Sequence, residues 1–359
     1  MTKSIAIWYE KKDLNLNIPP EIDIHINHWK LKLNRNFLVR KLRSLSTKTL
    51  GKKWNWFNFQ NNDYFIDFGL KISNGANIQN VCFYFPYEFS NQKQLIEDIG
   101  NRLNKKELLR AVFNEPYNFT TNDNDKYITV KNSTKALFNI YALDINNDIK
   151  LDAKYNGTIV RFPFKMFDNL PSYYRFRVKS AFVSELSYIF KPSNSFLESA
   201  YSSIEIIDFR INDYRNLGTS LIEHIQEKSA FNIALIHYFV MRSIKDEYII
   251  SNQELYSVRQ LEKETWGNYI TAEDHLYEES FAYHFKKKAS DEDKASNKFV
   301  SDFSAVLKFR FEDSKFVKYF MWLLAFALFT EVFGSGLYEL CRPCLVTIYK
   351  FIFVSSAPK

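Results

Sequence analysis

Three groups of side chains have the types and spacing to engage something beyond the chain itself. The first lies between Ile24 and Asn62, a window without a single acid. There Arg40, Lys41, Arg43, Lys52 and Lys53 are interleaved with rings that include Trp54 and Trp56. Cations among flat rings suit a single-stranded nucleic acid, whose phosphates take the charge and whose bases take the stacking faces. An anionic membrane surface, or a solvated basic face over a β core, fits the same composition. The second group is Tyr173, Arg175, Arg177 and Lys179, on one face of a predicted strand; it reads equally well as a solvated sheet edge. The third is Glu331, Ser335, Glu339 and Arg342, separated by four, four and three residues. On one continuous helix they form a single polar line, with Phe and Leu over the rest of the circumference.

Other chemistry is excluded by what the chain lacks. Its nine glycines are scattered over 359 residues, and there is no G-x-G-x-x-G, no Walker motif and no G-x-S-x-G elbow. Cys341 and Cys344 stand in a C-x-x-C, but Cys82 is the one remaining cysteine and the flanks are apolar, which argues against redox or zinc chemistry. His25 with His28, and His275 with Glu279, have no further ligands at zinc spacing, so ordinary surface roles are expected. No catalytic residue, metal or cofactor is expected, and the chain reads as a non-enzyme. Three cysteines cannot build a disulfide framework, and Met1 leads into polar sequence, which places the bulk of the chain in the cytoplasm.

The elements that must position these groups fall into four parts and predict an α+β fold. Residues 1–217 read as a β-rich ligand-binding region. Ile22, Ile24 and Ile26 alternate, and the phase slips near Asn27 and His28 before Trp29, Leu31 and Leu33 take over, as a bulge requires. Lys53–Phe59 and Tyr64–Ile72 read as a hairpin, and Asn156-Gly157 as the turn of another. Leu95–Asn114 reads as one or two helices. Residues 218–285 read as helical, with the apolar run Ile233–Met241 as a buried core helix. Residues 286–298 are small and charged, the composition of a linker. Residues 299–359 read as membrane-associated, with a transmembrane helix at about 317–340, because twenty residues from Tyr319 carry one acid.

Charge adds to this picture. The chain has 48 Lys and Arg against 41 Asp and Glu, and the whole net excess of +7 comes from the first sixty residues, where twelve basic residues meet four acids. Lys308, Arg310, Lys315 and Lys318 precede the apolar segment, which orients the long N-terminal region toward the cytoplasm and the tail into the inner membrane, among its lipids. Copies of a helix greasy on most sides and polar along one line would turn Glu331, Ser335, Glu339 and Arg342 toward a shared pore.

This layout, a basic β-rich region followed by the apolar segment Tyr319–Val354, resembles the membrane-disrupting effectors of bacterial anti-phage systems, and among them the channel-forming effectors of Hailong defence. The resemblance covers architecture rather than a motif. It implies a homo-oligomer that depolarises the cell, a nucleotidyltransferase partner, and an oligodeoxynucleotide ligand near the basic region. The alternative is a tail-anchored, non-enzymatic adaptor that binds nucleic acid or protein.

Overall fold

The structure is a computed structural model, and it describes residues 4–12, 19–32, 62–89, 92–122, 127–191, 202–270, 279–296, 298–312, 323–331, 333 and 342–343. The chain divides into two compact units, Met1–Phe190 with Ile204–Phe311, and Lys191–Ser203 with Glu312–Lys359.

The first unit is built from strands. In chain order they are β1 (Ala6–Lys11), β2 (Glu21–Lys32), β3 (Asn62–Ser73), β4 (Ile78–Phe85), β5 (Ile96–Asp98), β6 (Asn118–Asn122), β7 (Tyr127–Asn132), β8 (Lys135–Tyr141) and β9 (Lys150–Lys154). They continue as β10 (Gly157–Pro163), β11 (Ser172–Val178), β12 (Ser187–Phe190), β13 (Ser202–Ile211), β14 (Asn232–Ser243), β15 (Glu247–Ser251), β16 (Leu255–Gln260), β17 (Ser280–Lys288) and β18 (Phe303–Glu312). The described α-helices among them are short: α1 (Lys106–Phe113), α2 (Ala181–Glu185), α3 (Thr219–Glu227), α4 (Lys263–Ile270) and α5 (Asp291–Ala295).

Ten strands make one central sheet in the order β16-β17-β14-β2-β3-β11-β8-β7-β6, with β5 added on β11. Two four-stranded sheets, β1-β4-β10-β9 and β12-β13-β18-β15, complete the fold. Ile24 and Ile26 of β2 and Phe68 and Leu70 of β3 share one core with Phe83, Phe85, Val160 and Phe162 of the first small sheet and Phe209, Leu307 and Phe309 of the second. On the opposite face of the central sheet, Trp29, Leu31 and Phe65 pack with Leu108 and Leu109 of α1 and Trp266, Tyr269 and Ile270 of α4. Both faces of β2 are therefore buried, and this explains its sequence. The β2–β3 register runs unbroken from Glu21↔Ser73 to Lys32↔Asn62, so the expected bulge at Asn27-His28 is absent. What reads as a phase slip is the second face acquiring its own hydrophobic cover.

The helical middle is overturned for the same reason. Ile233–Met241 lies in β14, which runs parallel to β2 and antiparallel to β17 at the centre of the sheet. A strand covered on both sides carries a continuous apolar run, and its Ile, Tyr, Phe and Val are strand formers. Helix in 219–270 is limited to α3 and α4, with β15 and β16 between them. The expected linker contains the end of β17 and α5, whose Ser290 and Asp293 form a reciprocal capping box. Within Leu95–Asn114 only α1 is α-helical; Ile96–Asp98 is strand and Gly100–Asn104 a 3₁₀ turn. Tyr64–Ile72 is strand as expected, but its described partner is β2, and Lys53–Phe59 lies outside the described residues. The β9–β10 hairpin is present. Its turn falls one residue earlier than Asn156-Gly157: Gly157 pairs with Lys154, and the two loop residues, Tyr155 and Asn156, both have φ of 57°.

In the second unit, residues 323–331 are helical. Among the described residues no helix is long and apolar enough to cross a membrane, which overturns the transmembrane helix placed at about 317–340. The fold is thus mostly β-sheet, in place of an α+β chain with a helical middle and a membrane-spanning end.

Candidate functional site

Of the residues selected from the sequence, Arg40, Lys41, Arg43, Lys52, Lys53, Trp54 and Trp56 lie outside the described residues, as do Ser335 and Glu339. Glu331 and Arg342 are both exposed and helical. The strip on β11 is not a solvated edge. β11 is held between β3 and the β8 and β5 strands, and Tyr173, Arg175 and Arg177 have no exposed surface. Lys179 alone reaches the surface, where its Nζ lies 3.3 Å from Glu97 Oε2.

These buried residues form the floor of a polar site on the helix-covered face of the central sheet. Arg177 donates from Nε to Asp67 Oδ1 at 2.7 Å, and Asp67 Oδ2 accepts from Trp29 Nε1 at 2.9 Å and from Tyr269 Oη at 2.8 Å. Arg177 Nη1 also donates to the Ile270 carbonyl at 2.9 Å, and Arg102 Nη1 donates to Tyr269 O and Ile270 O at 2.5 and 3.0 Å. Two guanidinium groups thus meet the carbonyls of the last described residues of α4. Arg175 differs from Arg177 because its hydrogen bonds go to neutral oxygens. It donates to Tyr269 Oη and Tyr173 Oη, each at 2.7 Å, and to the Asn27 amide oxygen at 2.6 Å with that amide turned toward it. Burial opposes its charge, but Tyr173, Tyr269 and Asp67 outweigh this and its pKa is raised. A buried cation remains that Asp67, already engaged with Arg177, does not neutralise.

Backbone register continues this floor into a row of side chains. Across β17, β14, β2, β3 and β11 the aligned residues are Lys286, His237, His25, Gly69 and Arg175. Gly69 is required in this row, because a Cβ there would lie 2.2 Å from Tyr173 Oη and 3.0 Å from Arg175 Nη1. The His25 and His237 rings are 5.1 Å apart, and His237 Nδ1 shares a 2.8 Å hydrogen bond with His284 Nε2. Phe113 of α1 and Tyr173 each lie 5.9 Å from His25, and Phe239 stacks on His284 at 4.1 Å. His25 and His237 are partly buried, as are Lys71, Lys286 and Phe113 around them, so this part of the face keeps some contact with solvent.

The rings are neutral. Burial, then His237, Arg175 and Lys71, hold His25 well below the usual histidine range. Burial and Lys286 bring His237 down to about 4, and burial, His237, Lys286 and Arg259 bring His284 down to about 3. His28 lies on the opposite face against Tyr238 Oη at 3.0 Å, and burial holds it at about 4. A ring neutral in the folded chain but protonated near pH 6.5 when unfolded contributes stability that is complete above that pH and lost on acidification toward 4. Asp98, raised to about 6 by burial, and Asp23, also raised by burial, act in the opposite sense, but they are two groups against five once His224, likewise lowered by burial, is included. The denaturant midpoint is expected to fall between pH 7 and pH 5; a midpoint that holds or rises over that interval contradicts these assignments.

The chemistry open to the site is narrow. Among the described residues no three His, Cys, Asp or Glu side chains are grouped to hold a metal ion. Ser257 Oγ lies 3.4 Å from His284 Nδ1, and with His237 this makes a Ser–His–His line. A ring held at about 3 among cations is a poor base for a serine near neutral pH, so the line is not read as a nucleophile. Arg259 Nη2 donates to the Ala111 carbonyl at 2.8 Å, and Lys71 and Lys286 lie over the Phe138 and Tyr256 rings, so with Arg175 the rings carry an excess of positive charge around them, which suits an anion.

A second buried charge cluster lies at Glu205. Its Oε2 is 2.5 Å from Lys30 Nζ and 2.5 Å from Arg242 Nη1, and Arg242 Nη2 is 2.8 Å from Asp246 Oδ2. All four residues are buried and the charges balance, so this cluster joins β2, β13 and β14 and has no surplus for a ligand.

Sequence reasoning missed Lys71, His237, His284 and Lys286, which are far apart in the chain and meet only through β2–β3, β2–β14 and β14–β17 pairing. No family model matches the chain, and no curated protein matches it.

Proposed function

We propose that the chain is a non-enzymatic, ligand-responsive protein whose β-sheet region holds an anionic ligand on the face formed by Lys71, His25, His237 and Lys286. The observation that carries this reading is the row over Arg175: a partly buried line of neutral donors bounded by cations, above a guanidinium whose hydrogen bonds go to neutral oxygens. Phe113 and Phe239 add ring surface, which suits ligands that carry bases as well as phosphates.

The response belongs to the second unit. Its described helix, 323–331, is exposed at every position and bears Leu323, Leu324, Phe326, Leu328 and Phe329. Apolar side chains on every side of a helix favour association with other copies. A ligand that favours one arrangement of the β region would shift the population that assembles. An antiviral effector released or restrained by a nucleotide-type ligand works in this manner. Conduction through a membrane-spanning helix is not part of the proposal.

The test is anion binding by the full chain against Lys71→Gln with Lys286→Gln. Loss of two charge-assisted contacts is expected to weaken binding about tenfold or more. Equal affinities would remove this face as the site.

A further inference from the structure

We infer that this face takes up a phosphate monoester together with a proton: the phosphate lies between Lys71 and Lys286, and the in-register rings of His25 and His237 become charged donors to it. The inference rests on the anion-binding reading above and adds the ligand's chemical class and its coupling to pH.

Geometry supplies the first part. His25 and His237 sit side by side on adjacent parallel strands with ring centres 5.1 Å apart, so one tetrahedral group with several acceptor oxygens can meet both. Lys71 on β3 and Lys286 on β17 flank them. Lys286 is in register with His237, whereas Lys71 pairs with Asp23, two residues from His25. Lys71 Nζ lies 5.3 Å from the Phe138 ring and Lys286 Nζ 4.8 Å from the Tyr256 ring, so each side chain must swing off its ring to meet a phosphate above the histidines. The His237 Nδ1 bond to His284 leaves His237 Nε2 for a ligand.

Charge supplies the second part. The charged and titratable groups facing the pair are Arg175 and Tyr173 from β11, Lys71 from β3, His284 and Lys286 from β17, Arg259 and Ser257 from β16, and Asp23 from β2 itself. From α1 and α4 come Phe113 and Tyr269, which carry no charge. Asp67 is committed to Arg177, Trp29 and Tyr269. Asp23 is thus the one acid left against four cations among these groups. In the free chain burial and positive neighbours keep the rings neutral; a bound dianion reverses the sign of the local field and favours the imidazolium. Proton uptake and phosphate binding are then linked, each favouring the other.

The experiment is calorimetric titration of the full chain with adenosine 5′-monophosphate at pH 6.0, in two buffers of different ionisation enthalpy, compared with adenosine and with inorganic sulfate. Sulfate stays a dianion and so removes the ligand's own second ionisation, near pH 6. The expected result is binding of the monophosphate and of sulfate but not of adenosine. Sulfate affinity should rise between pH 7.5 and 6.0, with a slope approaching tenfold per pH unit for one proton taken up. In His25→Gln with His237→Gln the slope should vanish and fewer protons should be taken up. A flat sulfate profile in the wild-type chain overturns the coupling while leaving the anion site standing, and that measurement needs no variant to fold. Adenosine binding as tightly as the monophosphate overturns the ligand class. Absence of binding by every anion overturns both this inference and the reading beneath it.

Discussion

Replacing Asp67 with Ala is expected to destabilise the chain by about 3–5 kcal/mol, the range for removing one partner of a buried ion pair. Asp67 has no exposed surface and accepts from Arg177, Trp29 and Tyr269, so its removal leaves two fully buried guanidiniums, Arg175 and Arg177, on one strand with no carboxylate between them. It also frees Tyr269, the residue through which α4 meets Arg175. Asp67→Asn keeps an acceptor and loses the charge, so it should fall between wild type and Asp67→Ala. Chemical denaturation reads this directly as a fall in midpoint at constant slope. A change below about 1 kcal/mol would mean that water or another group reaches the site, and that Arg175 is not the isolated buried charge described above.

Glu205→Ala is expected to have an effect of the same size for a related reason. Burial pushes the Glu205 carboxyl up, but Arg242 and Lys30 outweigh it and hold it at about 2, so it is charged across the working range. Without it, Lys30 and Arg242 face each other inside the sandwich with Asp246 as the remaining acid, and the loss is again about 3–5 kcal/mol. Lys30 is already brought down to about 8 by burial and by Arg242, so in Glu205→Ala it should shed its proton more readily. The variant's deficit should therefore shrink as pH rises from 7 to 9. A deficit that grows over that interval contradicts the assignment of the cluster.

Much of the strand content was legible in the sequence, and the reasons for the failures are physical. β9 and β10 could be placed because Asn156-Gly157 marks a turn beside the exposed edge strand β9, although the loop falls one residue earlier and β10 is buried on both faces. β2 and β14 could not, because a strand buried on both faces loses its alternation. In β2 this imitated a bulge, and in β14, with its unbroken run from Ile233 to Met241, it imitated a helix. Arg175 and Arg177 were found as a strip with the correct shared face, but burial was invisible until Asp67, a hundred residues earlier, was seen to be in register with Arg177. The histidine row was the least legible part. In sequence His25 stands beside His28, three residues away, but a strand turns those two to opposite faces; its partner is His237, brought beside it by parallel pairing.

The measurement that bears most directly on the central claim is the affinity of the full chain for adenosine 5′-monophosphate, taken on wild type, on Lys71→Gln with Lys286→Gln, and on Arg40→Gln with Lys41→Gln and Arg43→Gln. An anion held on the histidine row predicts binding weakened about tenfold or more in the first variant and little changed in the second. Undiminished binding in the Lys71 and Lys286 variant, with the loss appearing instead in the Arg40, Lys41 and Arg43 variant, would contradict it and move the ligand to the basic window.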